Sequence, residues 1–466
     1  MGARQRVLER YHWAADYVNS LILAPPSPPA NATAEEIRAR QGTRLARLRR
    51  FLGYIGDPQD RYRTVHVTGT SGKGSTAAFI AGILSAGGLH TGLHVSPYLQ
   101  VETEKLVIDG RLLAGDRFAG YVEELAEAAK SWETRGGERV TYGEFWVALT
   151  FLAFAGERLD WAVIEVGAGG RFDLTNVINS EVAVITSIGF DHVRTLGPGI
   201  PDIAWHKAGI IKPGKPAVTT VTDPAALEVI RREAELQGSP LTELIPGRDY
   251  TFLRGDAHGT LFRDARSGRE FVAPLPGSFQ AVNAAAALGA ARALALPALD
   301  DALIARGLAA TRFPGRIEVV QDSPQVVLDG AHNPDKMRSL AASVPLLGSP
   351  ARRVLVLGAL DGHDYLQNAR IIAPLCDAVV LTAPHTIERA TASTEALAGV
   401  MRELGKPVDT VLEPREAIEA ALAQAGPEDQ VLVTGSLYLV GQVRERWYPS
   451  DDIVWQQTSW PAALTP

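Results

Sequence analysis

A single cysteine, Cys376, stands among the 466 residues. No intramolecular disulfide can form, and that fits a reducing cytoplasm. No apolar run reaches the ~20 residues that span a bilayer, and Met1 to Ser20 carries charges throughout where a secretory signal would need an apolar core. Positive charge is also in short supply. The formal net charge of -7 argues against general nucleic-acid binding and leaves any anionic ligand to local positive sites. Neither an internal repeat nor a long low-complexity tract is visible. The expectation is a soluble cytoplasmic protein of ordinary composition, without a membrane or nucleic-acid partner and long enough for two or three domains.

The most informative stretch is Val65 to Thr76, V-H-V-T-G-T-S-G-K-G-S-T. Val65 and Val67 give a short apolar run, Thr68 to Gly74 is a glycine-broken turn, and from Ser75 apolar residues recur at helical spacing. A strand feeding a glycine loop that opens a helix aims backbone N–H groups at one point, at the positive end of the helix dipole. With Lys73 in the loop, the natural ligand is a polyphosphate. The pattern G-x-x-x-x-G-K-[ST] is nevertheless not met: it needs Gly where Val67 stands and a hydroxyl where Gly74 stands.

Ahead of the loop, Arg4 to Leu23 and Glu35 to Leu52 read as amphipathic helices, the second basic with a solvated arginine face, joined by a Pro/Ala/Asn link from Pro25 to Thr33. Beyond it, Gly92 to Ser96 predicts a strand, and Gln100 to Leu113 a mobile polar loop near the phosphate end. Helices are predicted over Asp116 to Glu133 and Tyr142 to Ala155, then strands over Trp161 to Val166 and Val182 to Ser187. In an open parallel sheet ligands gather at the carboxyl ends of the strands, so Lys73, Ser96, Glu165 and His192 are expected at one crevice. Phe252 to Pro274 reads as a small antiparallel excursion and Gln280 to Ala293 as an alanine-rich helix. After Phe313-Pro314-Gly315-Arg316, strands near Val326–Leu328, Val354–Leu357, Ala378–Leu381 and Val431–Val433 alternate with helices, a second α/β unit. The expected class is α/β: a P-loop-type parallel-sheet domain over residues 1–312 and a smaller Rossmann-like α/β domain over 313–466.

Several polar stretches sit where chemistry would. Glu165-Val-Gly-Ala-Gly-Gly-Arg-Phe-Asp173 puts a carboxylate at a strand end before a glycine loop, although Glu165 could equally cap the next segment and Arg171 and Asp173 form a local ion pair. Asp191-His192 follows an apolar strand, and Lys207 sits in a helical stretch where a lysine is ordinarily solvated.

In this order and spacing the motifs resemble the Mur-ligase superfamily, and within it folylpolyglutamate synthase/dihydrofolate synthase. The matching stretches are T-G-T-S-G-K-G-S-T, S-P-Y at Ser96, T-Y-G-E at Thr141, E-V-G-A-G-G-R-F-D at Glu165, T-S-I-G-F-D-H at Thr186, K-A-G-I-I-K at Lys207, F-P-G-R at Phe313, D-G-A-H-N-P at Asp329 and T-G-S-L-Y-L-V-G at Thr434. The resemblance implies an ATP-dependent ligase that transfers the γ-phosphoryl group to a folate or dihydropteroate carboxylate and joins L-glutamate to it, acting as a monomer. It also implies site residues. Gly69, Thr70, Ser71, Gly72, Lys73, Gly74 and Ser75 would cradle ATP, with Asn283, Arg316 and Asp329 on the rest of the nucleotide. Ser96, Glu165, His192 and Lys207 would serve Mg2+, Lys207 as a carbamate. Thr141, Tyr142, Gly143, Glu144, Arg171, Phe172 and Asp173 would face the pteroate, and His332 would orient the phosphate or the glutamate. Arg316 and Asp329 would reach ATP when the second unit swings about Phe313-Pro314-Gly315.

The chain departs from the family pattern at Ser71, Tyr98, Gly143 and His206, and across Asn19 to Thr33. Those changes bear on pterin recognition and acceptor preference more than on ATP. A cell-wall Mur ligase would carry a nucleotide-sugar domain ahead of the loop, where only 64 residues precede Val65. A regulatory GTPase would need an N-K-x-D segment, which is missing. A catalytically silent ATP-binding relative is the remaining alternative.

Overall fold

The computed structural model describes residues 2–22, 33–190, 193–362, 364–386 and 389–462. Asp191-His192 and all of the proline-bearing link except Thr33 lie outside the described residues. Short Val/Ile-rich runs favour strands buried on both faces, and the first sheet is built from such runs. It comprises β1 (Arg63–Thr68), β2 (Thr91–His94), β3 (Val107–Ile108), β4 (Arg111–Leu112), β5 (Trp161–Glu165), β6 (Val182–Ile185), β7 (Ala217–Thr219) and β8 (Leu241–Glu243). Their order is β4-β3-β2-β5-β1-β6-β7-β8. Pairing is parallel from β2 to β8, with Val65 of β1 in register with Val163 and Val182. The chain leaves β1 toward β2 on one side and later returns to place β6 on the other. The strand order therefore reverses at β1, and the carboxyl ends of β5, β1 and β6 open one crevice.

The helices Ala34–Tyr54, Gly115–Thr134 and Tyr142–Gly156 cover one face, with Leu48, Phe51, Phe118, Phe145 and Phe151 in its core. The helices Lys73–Ala86, Phe279–Ala293 and Asp301–Ala310 cover the other with Phe79, Ile80, Ala284 and Ile304. The antiparallel excursion is present as β9 (Tyr250–Asp256), β10 (Gly259–Asp264) and β11 (Glu270–Ala273). The second unit holds β12 (Glu318–Asp322), β13 (Gln325–Leu328), β14 (Arg353–Leu357), β15 (Ala378–Leu381), β16 (Val408–Thr410) and β17 (Gln430–Thr434), ordered β12-β13-β17-β14-β15-β16. Only the edge strand β12 runs antiparallel.

One expectation is overturned. Gln100 to Leu113 is no mobile polar loop: it folds into a buried turn, Glu102–Lys105, and the hairpin β3–β4 paired on β2. Its charges face inward and fold it. Glu104 accepts from the backbone N–H groups of Leu99 (2.9 Å) and Gln100 (2.7 Å), and Glu102 is held by Tyr11, by Tyr98 at 3.1 Å and by Asn19 at 3.2 Å. The arginine face of the helix Ala34–Tyr54 is likewise used in part: Arg47 meets Glu144 at 2.6 Å and Arg38 lies over the Trp205 ring at 4.6 Å.

The chain crosses between the units twice. After the linker 311–316 it builds the second sheet, then returns. The helix Ser450–Gln456 packs on the helix Ala3–Ser20, with Arg4 on Asp452 at 2.5 Å, and Leu112 donates to the Gln457 carbonyl at 3.0 Å. A fully buried Arg444 ties the return together. It bonds both carboxylate oxygens of Glu318 (2.9 and 2.8 Å), Gln100 of the first unit (2.6 Å) and the Ser459 carbonyl (2.6 Å). Ser459 in turn donates to Glu104 at 2.9 Å, and Trp460 to Glu318 at 2.7 Å.

Candidate active site

The glycine loop between β1 and the helix Lys73–Ala86 is strapped to the segment that follows β6. Thr70 N–H donates to the Ser187 carbonyl (2.8 Å) and Ser71 N–H to Ser187 Oγ (2.8 Å), while Thr186 Oγ1 donates back to the Ser71 carbonyl (2.6 Å). Gly72 takes φ +84°, and a Cβ there would strike Asn283 Oδ1. The left-handed turn and the close approach of the helix Phe279–Ala293 both require glycine. Gly74 explains the departure from the common loop pattern. A Cβ at this position would stand 2.9 Å from the Phe313 ring, so a hydroxyl-bearing residue would force the inter-unit linker to shift. Lys73 Nζ folds back to the Gly69 carbonyl at 3.1 Å.

Glu165 ends β5 almost fully buried and accepts from Ser96 N–H at 3.0 Å. Burial pushes its carboxyl above the ordinary value, while the Lys73 ammonium and the Ser96 N–H oppose that rise. From the second unit come Arg316, Asp329 and His332. Asp329 accepts from the N–H groups of Ile317 (3.0 Å) and Ala331 (2.8 Å). Its carboxyl is raised by burial against the pull of Arg316.

Most of these groups, though not Gly69, line one cavity of about 530 Å³. It runs from Thr70–Ser75, Ser96 and Glu165, past Asn283, to Arg316, Asp329, His332 and Lys336. The two units meet across it, and Arg316 and Asp329 share a wall with Lys73 in this arrangement. A second cavity of about 560 Å³ lies behind the linker and shares Pro97, Arg316 and Leu437 with the first.

Other expected site residues lie outside this cavity. Thr141 caps the helix Tyr142–Gly156, its N–H and Oγ1 donating to one Glu144 oxygen (2.9 and 2.7 Å), and the other oxygen takes Arg47. Gly143 faces Leu174 and Arg44, and Tyr142 is half-buried against the same core. Arg171 does not pair with Asp173. Its guanidinium meets Glu233 at 2.6 Å and lies over Trp205 at 4.2 Å, and Asp173 caps the turn Leu174–Val177. Phe172 packs on Trp205 and His206. Lys207 is not solvated: it is 3% exposed on the helix Ile200–Ala208. Beside it, burial first and the charges of Arg38 and Arg171 next depress the His206 imidazole to about 4.

No group of three His, Cys, Asp or Glu side chains able to hold a metal ion occurs among the described residues. Among those residues no helix is long and apolar enough to cross a membrane. Sequence reasoning missed Thr186 and Ser187, which brace the loop, and Lys336, which stands four residues after His332 and two past the end of the quoted motif.

Residues 67–291 match the Mur ligase middle domain and residues 315–437 the Mur ligase glutamate ligase domain. The chain is 36% identical over 409 residues to the folylpolyglutamate synthase of Lacticaseibacillus casei, with 86% of this chain and 93% of that protein covered. It is 32% identical over 418 residues to the dihydrofolate synthase/folylpolyglutamate synthase of Bacillus subtilis, covering 86% and 94%. A solved structure of Escherichia coli FolC in complex with DHPP and ADP superposes with a TM-score of 0.76 at 30% identity, over 93% of this chain and 97% of that one.

Proposed function

Because this chain belongs to the folylpolyglutamate synthase family of Mur ligases, ATP-dependent ligases that add glutamate to folates, we propose that its cavity joins L-glutamate to dihydropteroate as well as to folates, through an acyl phosphate. One observation carries the reading: the anion-binding loop and a buried carboxylate of the first unit share a single cavity with Arg316, Asp329 and His332 of the second.

In this reading the loop Gly69 to Ser75 holds the phosphates and Lys73 swings from the Gly69 carbonyl onto the β/γ oxygens. Arg316 and Asp329 hold the rest of the nucleotide with Asn283. Phosphoryl transfer asks mainly for positioning and charge neutralisation. The substrate carboxylate forms a bond to the γ-phosphorus while the bond from that phosphorus to the β/γ bridging oxygen breaks. The glutamate amine then attacks the acyl carbon, and phosphate leaves. His332 orients the reacting groups.

Ser96 and Glu165 offer oxygen donors at the cavity wall, the donor type a hard dication takes alongside phosphate oxygens and water. These residues, with His192, would hold magnesium, which supplies charge neutralisation at the phosphates. The acceptor assignment draws on the paired activities in the Bacillus relative's name and on the DHPP in the Escherichia coli complex. Thr141, Tyr142, Gly143, Glu144, Arg171, Phe172 and Asp173 would serve the pteroate.

Lys207 is proposed as a carbamate, formed when its neutral amine adds carbon dioxide and releases a proton. Lys207→Ala should lose most activity and regain part of it with acetate; full activity without acetate would reject the carbamate.

The function itself is tested by ATP-dependent phosphate release with tetrahydrofolate or dihydropteroate plus glutamate. Release with both acceptors is expected. Release with tetrahydrofolate alone removes the dihydropteroate activity, and release with neither removes the ligase reading.

A further inference from the structure

We propose that Lys336 is a positioning residue of the ligase site: it fixes the His332 ring and presents a second ammonium group to the phosphoryl end of ATP from the carboxy-terminal unit. The inference rests on the ligase reading and assigns a role to a residue that reading leaves unused.

The hydrogen bonds around His332 set its tautomer. Nδ1 stands 2.8 Å from the Gly330 carbonyl, which can only accept, so Nδ1 carries the hydrogen. Nε2 therefore offers a lone pair, and Lys336 Nζ donates to it at 3.0 Å. The ring is thus held at both nitrogens, and its own backbone carbonyl takes Asn368 Nδ2 at 2.9 Å. Lys336 and His332 both line the nucleotide cavity.

Local rules of helix formation argue against a lysine at this position. Asn333 caps the helix Pro334–Ser343, its Oδ1 accepting from Lys336 N–H at 2.9 Å, so Lys336 is the third residue of the first turn. There a cation opposes the helix dipole, and Glu or Gln is the favoured residue. Asp335 obeys that preference and Lys336 breaks it. A residue that works against its own helix while facing a ligand cavity marks a site where function outweighs local stability.

The chemistry has a use for it. As the γ-phosphoryl group passes to the substrate carboxylate, negative charge grows on the β-phosphate, and a fixed ammonium nearby stabilises it without giving up a proton. Lys73 contributes such a group from the loop, and Lys336 contributes another from the second unit.

The test uses the full chain with ATP, tetrahydrofolate and L-glutamate, comparing the parent with Lys336→Gln and Lys336→Arg. For Lys336→Gln, kcat should fall about 100-fold, the scale of one charged donor at a transferring group. Its KM for tetrahydrofolate should stay within about twofold of the parent, and its thermal midpoint should hold or rise, since Gln suits the first turn. Lys336→Arg should restore most of the rate. Scrambling of 18O within ATP, followed without glutamate, should slow with kcat, because the loss lies in phosphoryl transfer. A Lys336→Gln enzyme with kcat or scrambling within about twofold of the parent, or with a loss that follows a lowered thermal midpoint, overturns the proposal. A parent that does not turn over overturns the ligase reading beneath it.

Discussion

Lys73 is the residue on which the loop's chemistry turns. In the structure its ammonium rests on the Gly69 carbonyl, a neutral acceptor that a phosphate oxygen can displace. Lys73→Ala should lower kcat by roughly 10²–10³, read by phosphate release, and a near-normal rate would make the loop a structural turn. A second lysine makes a different prediction. Lys212 is partly buried with its Nζ on the Asn176 side chain at 2.8 Å, and burial, with the Arg49 charge second, lowers it from 10.5 to about 8. Below about 8 both folded and unfolded chains hold this proton, and the cost of burying the charge is fully present. Between about 8 and 10.5 the unfolded state binds more protons, so stability rises with pH. Relative to Lys212→Met, the parent should therefore gain stability across that window, by on the order of 3 kcal/mol in total. Urea titrations at several pH values measure the difference, and a flat one would place Lys212 in water.

At the scale of elements, the helix Tyr142–Gly156 shows how a motif can carry structure and a proposed ligand site together. Glu144 is 2% exposed, closes the capping box with Thr141 and pairs with Arg47. Glu144→Ala removes a cap and strands a partly exposed arginine, for a loss of about 2–4 kcal/mol in chemical denaturation. A change confined to the dihydropteroate KM, with stability untouched, would make Glu144 a substrate contact alone. Legibility from sequence followed the same logic. β5, β6 and β17 were readable because each is a run of Val, Ile and similar residues with no polar alternation, and β1, which alternates as Thr-Val-His-Val-Thr, because a glycine loop follows it. β7, β8 and β16 are three residues each, too short to show a period, and β12 reads Glu-Val-Val-Gln-Asp, which announces an edge only once its neighbour is known. The turn at Glu102–Lys105 was misread because its charges find partners on Tyr11, Asn19 and Ser459, all far away in the chain. The gathering of Lys73, Ser96 and Glu165 was legible from strand ends. The Lys336–His332 contact needed the first turn of a helix that sequence did not delimit.

For the whole molecule, the decisive feature is that the units are joined at the linker and again through Arg444. This guanidinium is fully buried between Glu318, Gln100 and the Ser459 carbonyl. Arg444→Met leaves Glu318 buried without its main partner, at a cost of about 3–5 kcal/mol. It should also loosen the second unit from the first, so that kcat falls and KM shifts together and the small-angle scattering profile broadens. An unchanged profile with unchanged kinetics would mean that the linker alone sets the arrangement.

The return of the chain onto the first unit also has a consequence for biosynthesis. Ser459, which completes the hydrogen bonding of the buried Glu104, follows it by 355 residues. At roughly 5–20 residues per second, a ribosome takes about 20–70 s to supply that partner. Throughout that interval the seat of Glu104 lacks this partner, and the wall that Thr458–Trp460 contribute to the second cavity is missing. The seat of Glu104 is therefore completed only when a segment made 355 residues later docks on the first unit.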